Sequence, residues 1–308
     1  MDTVVSNMFY DLSIPWSSDY KEIQRTLSLL AELDYELVAL NHIIHGKLPN
    51  DISCPIPDPL PFPVPAKLKV LRRCTLVLAD TAQNHRLASL SANYDILALR
   101  PTEEKALLLA CTSLECDLIS LDMTVRYPFH FKLKTLSAAM QRGLRIEICY
   151  AQGISSHDAM ARRNLISNAT SLIRATRSRG LIMSSEASRA LACRGPWDVI
   201  NLAAVWGLSQ ERGREAIGRE ARAVVVQAEM KRRSFRGVVD VVYGGEKPQP
   251  KETGNGTTAD SGQKRKASAM EVGQVGTGGD MTLSKREKKR RAKAAREAEA
   301  ARGTSLMA

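Results

Sequence analysis

Residues 8–42 have the sequence MFYDLSIPWSSDYKEIQRTLSLLAELDYELVALNH. A short apolar run from Met8 to Ile14 is followed by a segment of helical periodicity, Tyr20 to Leu33, and then by a second apolar run, Glu36 to Asn41. A helix between two strands returns the chain to the end of the sheet at which the first strand began. The second strand can then run parallel to the first. This stretch therefore predicts a strand–helix–strand unit of a parallel sheet.

The same alternation recurs about seven times before residue 245. The predicted strands are Met8–Ile14, Glu36–Asn41, Thr75–Ala79, Tyr94–Leu99, Asp117–Leu121, Leu144–Cys149 and Gly180–Met183. The predicted helices between them are Tyr20–Leu33, Gln83–Leu90, Glu103–Thr112, Phe131–Arg142 and Ser156–Arg177. Further helices are predicted at Ala187–Ala192, Pro196–Leu208, Ser209–Ile217 and Gly218–Lys231. This pattern favours the α/β class, as a seven- or eight-stranded β/α (TIM-like) barrel, over an open sheet.

One segment interrupts the alternation. Pro49 to Pro65 holds seven prolines, which remove backbone donors and fix extended geometry. We expect this segment to be an irregular surface loop inserted before the third strand.

The composition divides the chain at residue 245. Residues 246–280 are rich in Gly, Thr, Ser, Lys and Gln, and basic residues dominate after Ser284. Such a composition buries too little apolar area to order itself. The sequence thus predicts a barrel domain with a helical C-terminal part, residues 1–245, and a disordered linker with a basic C-terminal tail, residues 246–308.

The charge is basic in both parts. The net charge is +11, with 14 Lys/Arg against 8 Asp/Glu in residues 246–308 and 30 against 25 before them. A basic balance favours nucleic acid or an anionic membrane surface as the partner.

Several classes of protein are excluded by what the sequence lacks. The N-terminus has no basic and apolar export signal, and no apolar run reaches the roughly 18 residues of a membrane-spanning helix. We therefore expect a protein that is neither exported nor embedded. No Walker, Gly-x-Gly-x-x-Gly or Gly-x-Ser-x-Gly string occurs, so a nucleotide cradle or nucleophile elbow has no support. The scattered cysteines contain no Cys-x-x-Cys pair and are expected to be reduced core residues of an intracellular protein.

Functional side chains of a β/α barrel gather at the C-terminal ends of its strands. Asp11, His42 and Asp80 lie at three of these predicted ends. The remaining ends carry Arg100, Asp122, Tyr150 and Ser184-Ser185. Three ligands are too few for a two-metal hydrolytic site, which needs several converging His and carboxylate groups. We interpret the three residues as vestigial metal-site positions and expect no bound metal, no cofactor and no catalytic residue.

Two roles remain open for these positions. In the first, Asp11 and His42 hydrogen-bond each other at the barrel mouth as structural residues. In the second, Asp11, His42 and Asp80 serve a protein-only, metal-dependent phosphoesterase.

Basic residues lie beside aromatic residues in one predicted loop. Arg126, His130 and Lys132 flank Tyr127 and Phe129. Cations interleaved with stackable rings are typical of proteins that bind irregular RNA. Further basic residues are Arg162, Arg163, Arg174 and Arg177 on one helix, and Lys231-Arg232-Arg233 at the end of another. A solvated helix face explains Arg174 and Arg177 equally well. In the tail, Lys264–Lys266 and Lys285–Arg296 are predicted to direct nuclear import, and the second run also to neutralise phosphates.

The chain resembles the thirty-kilodalton protein subunit of eukaryotic and archaeal ribonuclease P, which is shared with ribonuclease MRP. The resemblance spans Phe9 to about Val242 and is carried by nine groups of residues. They are Phe9–Ser13, Leu37–Ile43, Tyr94–Ala98, Ala110–Leu114 with Asp117-Leu118, Pro128–Lys132, Arg142–Leu144 with Glu147, Met183–Ser185, Arg194–Val199, and Asn201-Leu202 with Gly207–Ser209.

This resemblance implies a barrel related to the polymerase-and-histidinol-phosphatase phosphoesterases, with Asp11-Leu12-Ser13 in place of their His-x-His metal clamp. It implies a non-catalytic subunit that binds and stabilises the catalytic RNA, which removes the 5′ leader from precursor tRNA and, in ribonuclease MRP, processes rRNA. The implied partners are that RNA, a small RRM-like subunit, other protein subunits and, indirectly, precursor tRNA, without a membrane. The expected location is the nucleus and its nucleolus.

The candidate RNA-binding residues come from the resemblance and from charge. They are Lys132, Arg142, Arg162, Arg163, Arg194, Lys231, Arg232 and Arg233. A different class of function also fits the basic tail: a nuclear interaction protein whose barrel docks only other proteins. RNA association that survives deletion of the residues after Glu246 would separate the two.

Overall fold

Seven parallel strands form one sheet in the computed structural model, which describes residues 8–46, 48, 51–79, 86–156 and 158–233. Each strand hydrogen-bonds to the next one in chain order. The strands are β1 Phe9–Pro15, β2 Tyr35–Ile44, β3 Lys69–Leu78, β4 Ile96–Pro101, β5 Leu118–Leu121, β6 Arg145–Cys149 and β7 Leu181–Ser184. The sheet curls into a nearly closed barrel with helices outside it. The predicted α/β TIM-like barrel is confirmed.

The helices match the predicted ones with three exceptions, and a short helix at Ala151–Ser155 was not predicted. They are α1 Tyr20–Glu32, α2 Leu87–Asn93, α3 Glu104–Thr112, α4 Leu133–Gln141, α5 Ala151–Ser155, α6 Ala159–Thr176, α7 Pro196–Val205, α8 Gln210–Ile217 and α9 Arg219–Arg233. The single predicted helix Ser156–Arg177 is wrong at its start, because Asp158 caps a new helix by accepting from the Met160 amide at 2.8 Å. The predicted helix Gln83–Leu90 is shifted; its residues 83–85 lie outside the described residues.

The predicted helix Ala187–Ala192 is also wrong, since only a 3-10 turn at Ala190–Ala192 forms there. Its backbone amides are committed elsewhere: the amide of Glu186 donates to the Ser13 carbonyl at 2.8 Å, and that of Ala187 to Ser185 Oγ at 3.2 Å. The segment after β7 therefore reaches across to β1 instead of starting a helix. This contact spans the seam between the first and last strands.

Helix α9 covers the N-terminal end of the barrel, which we call the barrel floor. Tyr10, Leu37, Ile96 and Leu118, near the starts of four strands, are buried in one apolar cluster with side chains of α9. The α9 members of the cluster are Ala221, Val224, Val225 and Ala228. Their i, i+3, i+4, i+7 spacing places them on one face of the helix. The barrel is thus closed from below by the last described element of the chain.

The proline-rich segment takes the place of a helix between β2 and β3. It was predicted to be a surface loop, and in its described part this is only half correct. Ile56 is 2% exposed, and Leu60, Phe62 and Val64 are half-buried against the main core. Apolar side chains that alternate with prolines thus pack on the core in a connection that has no helix.

Two further observations concern the described residues alone. None of their helices is both long and apolar enough to cross a bilayer. All six cysteines have free thiols, five of them buried and Cys54 half-buried, as expected for reduced core residues. The predicted linker and tail, residues 246–308, lie outside the described part of the chain and remain predictions.

Candidate functional site

The predicted metal-site positions do not converge. Val38 and Leu40 of β2 pack in the outer core, whereas Leu37 and Ala39 line the barrel interior, so His42 faces outward with Val38 and Leu40. There His42 Nδ1 lies 2.7 Å from the Tyr94 hydroxyl, and the two rings are stacked. Burial lowers the pKa of His42 below its ordinary value. The expected hydrogen bond between Asp11 and His42 is therefore wrong. In the parallel register Asp11 lies beside Val38, four residues before His42.

Asp11 is buried at the seam between β1 and β7. Its Oδ1 accepts from the backbone amides of Ser13 at 3.2 Å and Ser185 at 3.1 Å. Burial raises the pKa of Asp11 to about 6, although these hydrogen bonds oppose the shift. The side chain acts as a bridge across the seam, where β1 and β7 would otherwise leave amides unpaired. Asp80, the third predicted position, lies outside the described residues.

The barrel lumen holds a fully buried ion pair that we did not predict. Arg73 of β3 donates to both carboxylate oxygens of Glu147 of β6 at 2.6 Å, and both side chains have no exposed surface. Arg73 also donates to the Leu12 carbonyl at 2.6 Å and to Thr75 Oγ1 at 3.1 Å. Ser184 Oγ donates to Glu147 Oε1 at 2.7 Å. The pair thus ties β1, β3, β6 and β7 together.

Polar neighbours extend this pair into a layer. Thr75 Oγ1 donates to Asn41 Oδ1 at 2.7 Å, and Asn41 Nδ2 donates to Ser13 Oγ at 3.2 Å. Burial alone would raise the pKa of Glu147, but the charge and hydrogen bonds of Arg73 outweigh it, and the pKa is lowered. Glu147 is therefore an ionised, fully engaged carboxylate, and it offers no free base to a substrate.

A second buried pair lies nearer the mouth. Arg100 Nη2 donates to Glu186 Oε1 at 2.8 Å and to Ser120 Oγ at 3.1 Å. Glu186 adopts a left-handed backbone conformation, with φ of +53°. Its carboxylate is held over the lumen by the same segment that spans the seam. Two arginines and two glutamates thus lie buried in the lumen and at its mouth.

No three His, Cys, Asp or Glu side chains lie close enough to hold a metal ion among the residues that the structure describes. The contacts of the candidate ligands also argue against a metal site. Asp11 bridges two strands, His42 bonds a tyrosine outside the barrel, and the lumen carboxylates bond arginines. Each of these groups already has a structural partner.

Four of the eight candidate RNA-binding residues use their charged groups inside the fold. Arg142 donates to the carbonyls of Ala110, Cys111 and Leu114 at 2.5–3.1 Å and so caps the C-terminus of α3. Arg194 donates to the carbonyls of Leu191 and Cys193.

Lys231 and Arg232, the other two candidates with contacts inside the fold, hold α9 in place. Lys231 donates to the Cys116 carbonyl at 2.8 Å and to Asp117. Arg232 donates to Asp117 Oδ2 at 2.8 Å and to the Tyr94 carbonyl at 2.7 Å. These contacts fix the barrel floor.

The remaining four candidates lie on the surface. The side chains of Lys132 and Arg233 are 67% and 74% exposed and pair only with exposed glutamates. Arg162 and Arg163 are exposed on α6, and Arg162 makes one long contact of 3.4 Å to a backbone carbonyl. Such surface contacts are worth about 0–1 kcal/mol and are readily exchanged for a ligand.

Helix α6 is joined to the loop between β5 and α4. Asn164 Nδ2 donates to the Thr124 carbonyl, and Asn168 Nδ2 donates to the carbonyls of Met123 and Val125, all at 2.8–2.9 Å. The loop carries Arg126, which is exposed, and Lys132. We call the surface formed by Arg126, Lys132, Arg162 and Arg163 the α6 face.

The aromatic residues of this loop are less available than the sequence suggested. Tyr127, Phe129 and Phe131 pack against one another, with ring centroids 5.1–6.0 Å apart, and against the core. They are half-buried, so they support the loop that carries the cations. Base stacking on these rings remains a prediction.

The model of one protein family matches residues 8–233, which is the whole described barrel including the α9 floor. That family is described as ribonuclease P subunit p30. This chain belongs to it.

Curated relatives that are subunits of ribonuclease P match most of this chain. The probable ribonuclease P protein subunit 3 of Schizosaccharomyces pombe is 40% identical over 236 residues, covering 76% of this chain and 99% of the relative. Ribonuclease P protein subunit p30 of Mus musculus is 36% identical, covering 79% and 93%. Ribonuclease P/MRP protein subunit RPP1 of Saccharomyces cerevisiae is 31% identical, covering 74% and 83%. The resemblance identified from the sequence is thus confirmed.

A solved structure agrees with the fold. A chain of the archaeal ribonuclease P complex with mature tRNA, determined by cryo-EM, superposes with a TM-score of 0.58 at 14% identity. The match covers 78% of this chain and 99% of that one. It supports the barrel architecture of the p30 family.

Sequence reasoning missed the lumen pairs. Arg72-Arg73 precede the predicted third strand, because two arginines in succession resemble a loop more than a strand. Glu147 lies between Ile146 and Ile148, and this was the available signal: a single charge at an inward position of a buried strand needs a partner of opposite charge. Nothing local indicated that this partner was Arg73.

Proposed function

We propose that this p30-family chain is a non-catalytic subunit of ribonuclease P that binds and stabilises the RNA performing the cleavage of precursor tRNA. The observation that carries this proposal is the filled lumen. Arg73 hydrogen-bonds both carboxylate oxygens of Glu147 in the lumen. Arg100 pairs with Glu186 nearer the mouth, where Arg100 Nε and Glu186 Oε2 have no hydrogen-bond partner among the described residues. A side chain whose donors and acceptors are engaged in a packed core is not available to activate water.

The RNA would contact the α6 face. Its four cations are exposed, and within the described part of the chain Lys132 alone among them has an ion-pair partner. Phosphate contacts of this kind release counterions from the RNA and supply affinity that does not depend on sequence. Arg142, Arg194, Lys231 and Arg232 would contribute indirectly, by holding α3, the turn before α7 and the floor in place.

The finer parts of the proposal follow from the family. We expect the chain to assemble with other protein subunits, among them a small RRM-like one, and to act also in ribonuclease MRP and rRNA processing. The basic runs Lys264–Lys266 and Lys285–Arg296 favour a nuclear and nucleolar location. The relative named RPP1 is a subunit of both particles, which supports the MRP assignment.

The test begins with tagged full-length protein purified from its own cells. The RNA that accompanies it is sequenced, and precursor-tRNA cleavage is assayed before and after that RNA is digested. We expect one or two structured RNAs and cleavage that disappears on digestion. Cleavage that survives digestion and stops with a chelator would overturn the proposal in favour of a metal-dependent phosphoesterase.

Two variants locate the RNA surface in the same assay. Arg162→Gln with Arg163→Gln removes cations from the α6 face, and Arg174→Gln with Arg177→Gln is the matched control further along the same helix. We expect the first pair alone to weaken RNA association. Equal weakening by both pairs would indicate a general charge effect and not a site.

A further inference from the structure

One short stretch carries the most exposed large apolar side chains among the described residues. Leu191 is 87% exposed, Val205 is 82% exposed and Trp197 is 57% exposed. All three lie between the 3-10 turn and the end of α7. An exposed apolar patch on a soluble protein marks an interaction site more often than chance placement does.

Helix geometry places Trp197, Asn201 and Val205 on one stripe. They are spaced i, i+4 and i+8, so the stripe is about 12 Å long. Asn201 is exposed at its centre. The opposite side of α7, with Val199, Ile200 and Ala203, is buried in the core. The stripe is therefore not needed for packing within this chain.

Trp197 is held in place before any partner arrives. Its ring lies 6.0 Å from that of buried Phe9 in an edge-to-face arrangement. A large ring that is fixed in advance loses little conformational entropy on binding, and tryptophan is enriched among the residues that dominate protein interfaces. Trp197 is therefore suited to bind an apolar side chain of a partner without first becoming ordered.

The charges around the stripe indicate which partner fits. Asp198 directly follows Trp197 in the chain and is exposed, and it has no ion pair among the described residues. The guanidinium of Arg194 donates to two backbone carbonyls. A negative charge therefore lies beside the Trp197 ring. It disfavours RNA and suits a protein segment with a lysine or arginine beside an apolar side chain.

We infer that Leu191, Trp197, Asn201 and Val205 form the docking surface for another protein subunit, which inserts an apolar side chain next to Trp197 and pairs a basic residue with Asp198. This rests on the proposed function, because it assigns to the subunit assembly a surface separate from the α6 face. RNA and protein partners would then approach different walls of the barrel.

Site-specific photo-crosslinking tests the inference in the full-length chain expressed in its own cells. Asn201 is replaced by p-benzoylphenylalanine, and Ser167, exposed on α6, carries the same group as the control. We expect position 201 to yield one protein adduct that resists ribonuclease. Its crosslinked peptide, read by mass spectrometry, should contain an apolar residue within a few positions of a lysine or arginine.

Two variants check that the stripe is responsible. Trp197→Ala should lower the adduct yield at position 201 by about 30-fold, the size of a strong interface residue. Val205→Ser touches almost nothing in the fold and should lower the yield about threefold, with an unchanged thermal midpoint. An unchanged yield in both variants would overturn the role of the stripe.

Four other results of the crosslinking experiment would contradict the docking surface. A ribonuclease-sensitive adduct, an adduct of twice the chain mass, a crosslink within the chain itself or no adduct at position 201 would each overturn the inference. If RNA still co-purifies with the unmodified chain in those cases, the proposed function stands. If no RNA co-purifies even with the unmodified chain, the proposed function has failed instead.

Discussion

Arginine has opposite roles in the barrel lumen and on the α6 face. Arg73 and Arg100 are buried, and each faces a glutamate at 2.6–2.8 Å. Arg162 and Arg163 are exposed, with no acidic partner among the described residues. In the lumen the arginine side chain stabilises the fold, and on the α6 face it is a solvent-exposed cation. The two places differ in whether a carboxylate lies within hydrogen-bonding distance.

This difference shows that one residue type can organise the interior of a barrel and leave positive charge on its surface. The contacts of Arg73 and Glu147 join four strands in the lumen. The cations that act on a polyanion must then lie elsewhere, on a surface without competing acids.

The largest effect is expected from breaking one lumen pair. Arg73→Met leaves Glu147 buried without its partner and should cost about 3–5 kcal/mol of the free energy of unfolding. Urea denaturation measures this. Arg73→Met combined with Glu147→Leu should recover most of the loss, because an apolar pair needs no counter-charge. A loss below about 1 kcal/mol in the single variant would contradict the role of the pair.

The next effect concerns Asp11 and depends on pH. Its folded pKa of about 6 lies above the ordinary value, so the folded state retains a proton and the contribution of Asp11 to stability declines as the pH rises toward 6. Asp11→Asn keeps an acceptor and does not titrate. Its advantage over the natural chain should grow between about pH 4 and pH 6, to about 2–3 kcal/mol, and then level off.

The control for Asp11 is its replacement by alanine, which removes the acceptors for Ser13 and Ser185. Asp11→Ala should be less stable than Asp11→Asn at every pH, by about 1–3 kcal/mol. Chemical denaturation at several pH values measures both variants. An advantage of Asp11→Asn that is the same at pH 4 and pH 7 would show that the carboxyl does not titrate in this range.

A smaller effect separates two candidates for RNA binding. Arg142→Met removes the cap of α3 and should cost about 1–3 kcal/mol of stability. Lys132→Met removes only an exposed pair and should cost less than about 0.5 kcal/mol. In RNA titrations the order should reverse, with Lys132→Met lowering the salt dependence and Arg142→Met leaving it unchanged. Equal losses of stability would contradict a structural role for Arg142 and a surface role for Lys132.

The smallest effect on stability is expected for the α6 face. Arg162→Gln with Arg163→Gln should change the unfolding free energy by no more than about 0.5 kcal/mol. The slope of log affinity against log salt should fall by about one unit for each phosphate that the variant no longer neutralises. An unchanged slope would place the RNA on another surface.

The sequence was sufficient for the parts of the fold that are local. Strand–helix alternation depends on residues close together in the chain, and it predicted all seven strands and most of the helices. The lumen could not be predicted in the same way. Arg73 and Glu147 are 74 residues apart, and only the closed barrel brings them together.

The candidate site shows the same limit. The family resemblance and charge together identified the eight cationic candidates. They could not distinguish a guanidinium that caps a helix, as in Arg142, from one that faces solvent, as in Arg163. That distinction depends on which carbonyls lie nearby after folding. The prediction for His42 was wrong for a related reason. Its position near the end of a strand followed from the sequence, but the sequence did not show that its side chain faces the outside of the barrel.

The position of α9 has a consequence for biosynthesis. The helix that covers the floor ends at Arg233 and is the last described element to leave the ribosome. Until it emerges, Tyr10, Leu37, Ile96 and Leu118 have no cover at the bottom of the barrel. A nascent chain shortened before Arg219 would present this apolar ring to chaperones and proteases. Burial of this apolar ring thus depends on translation reaching the end of α9.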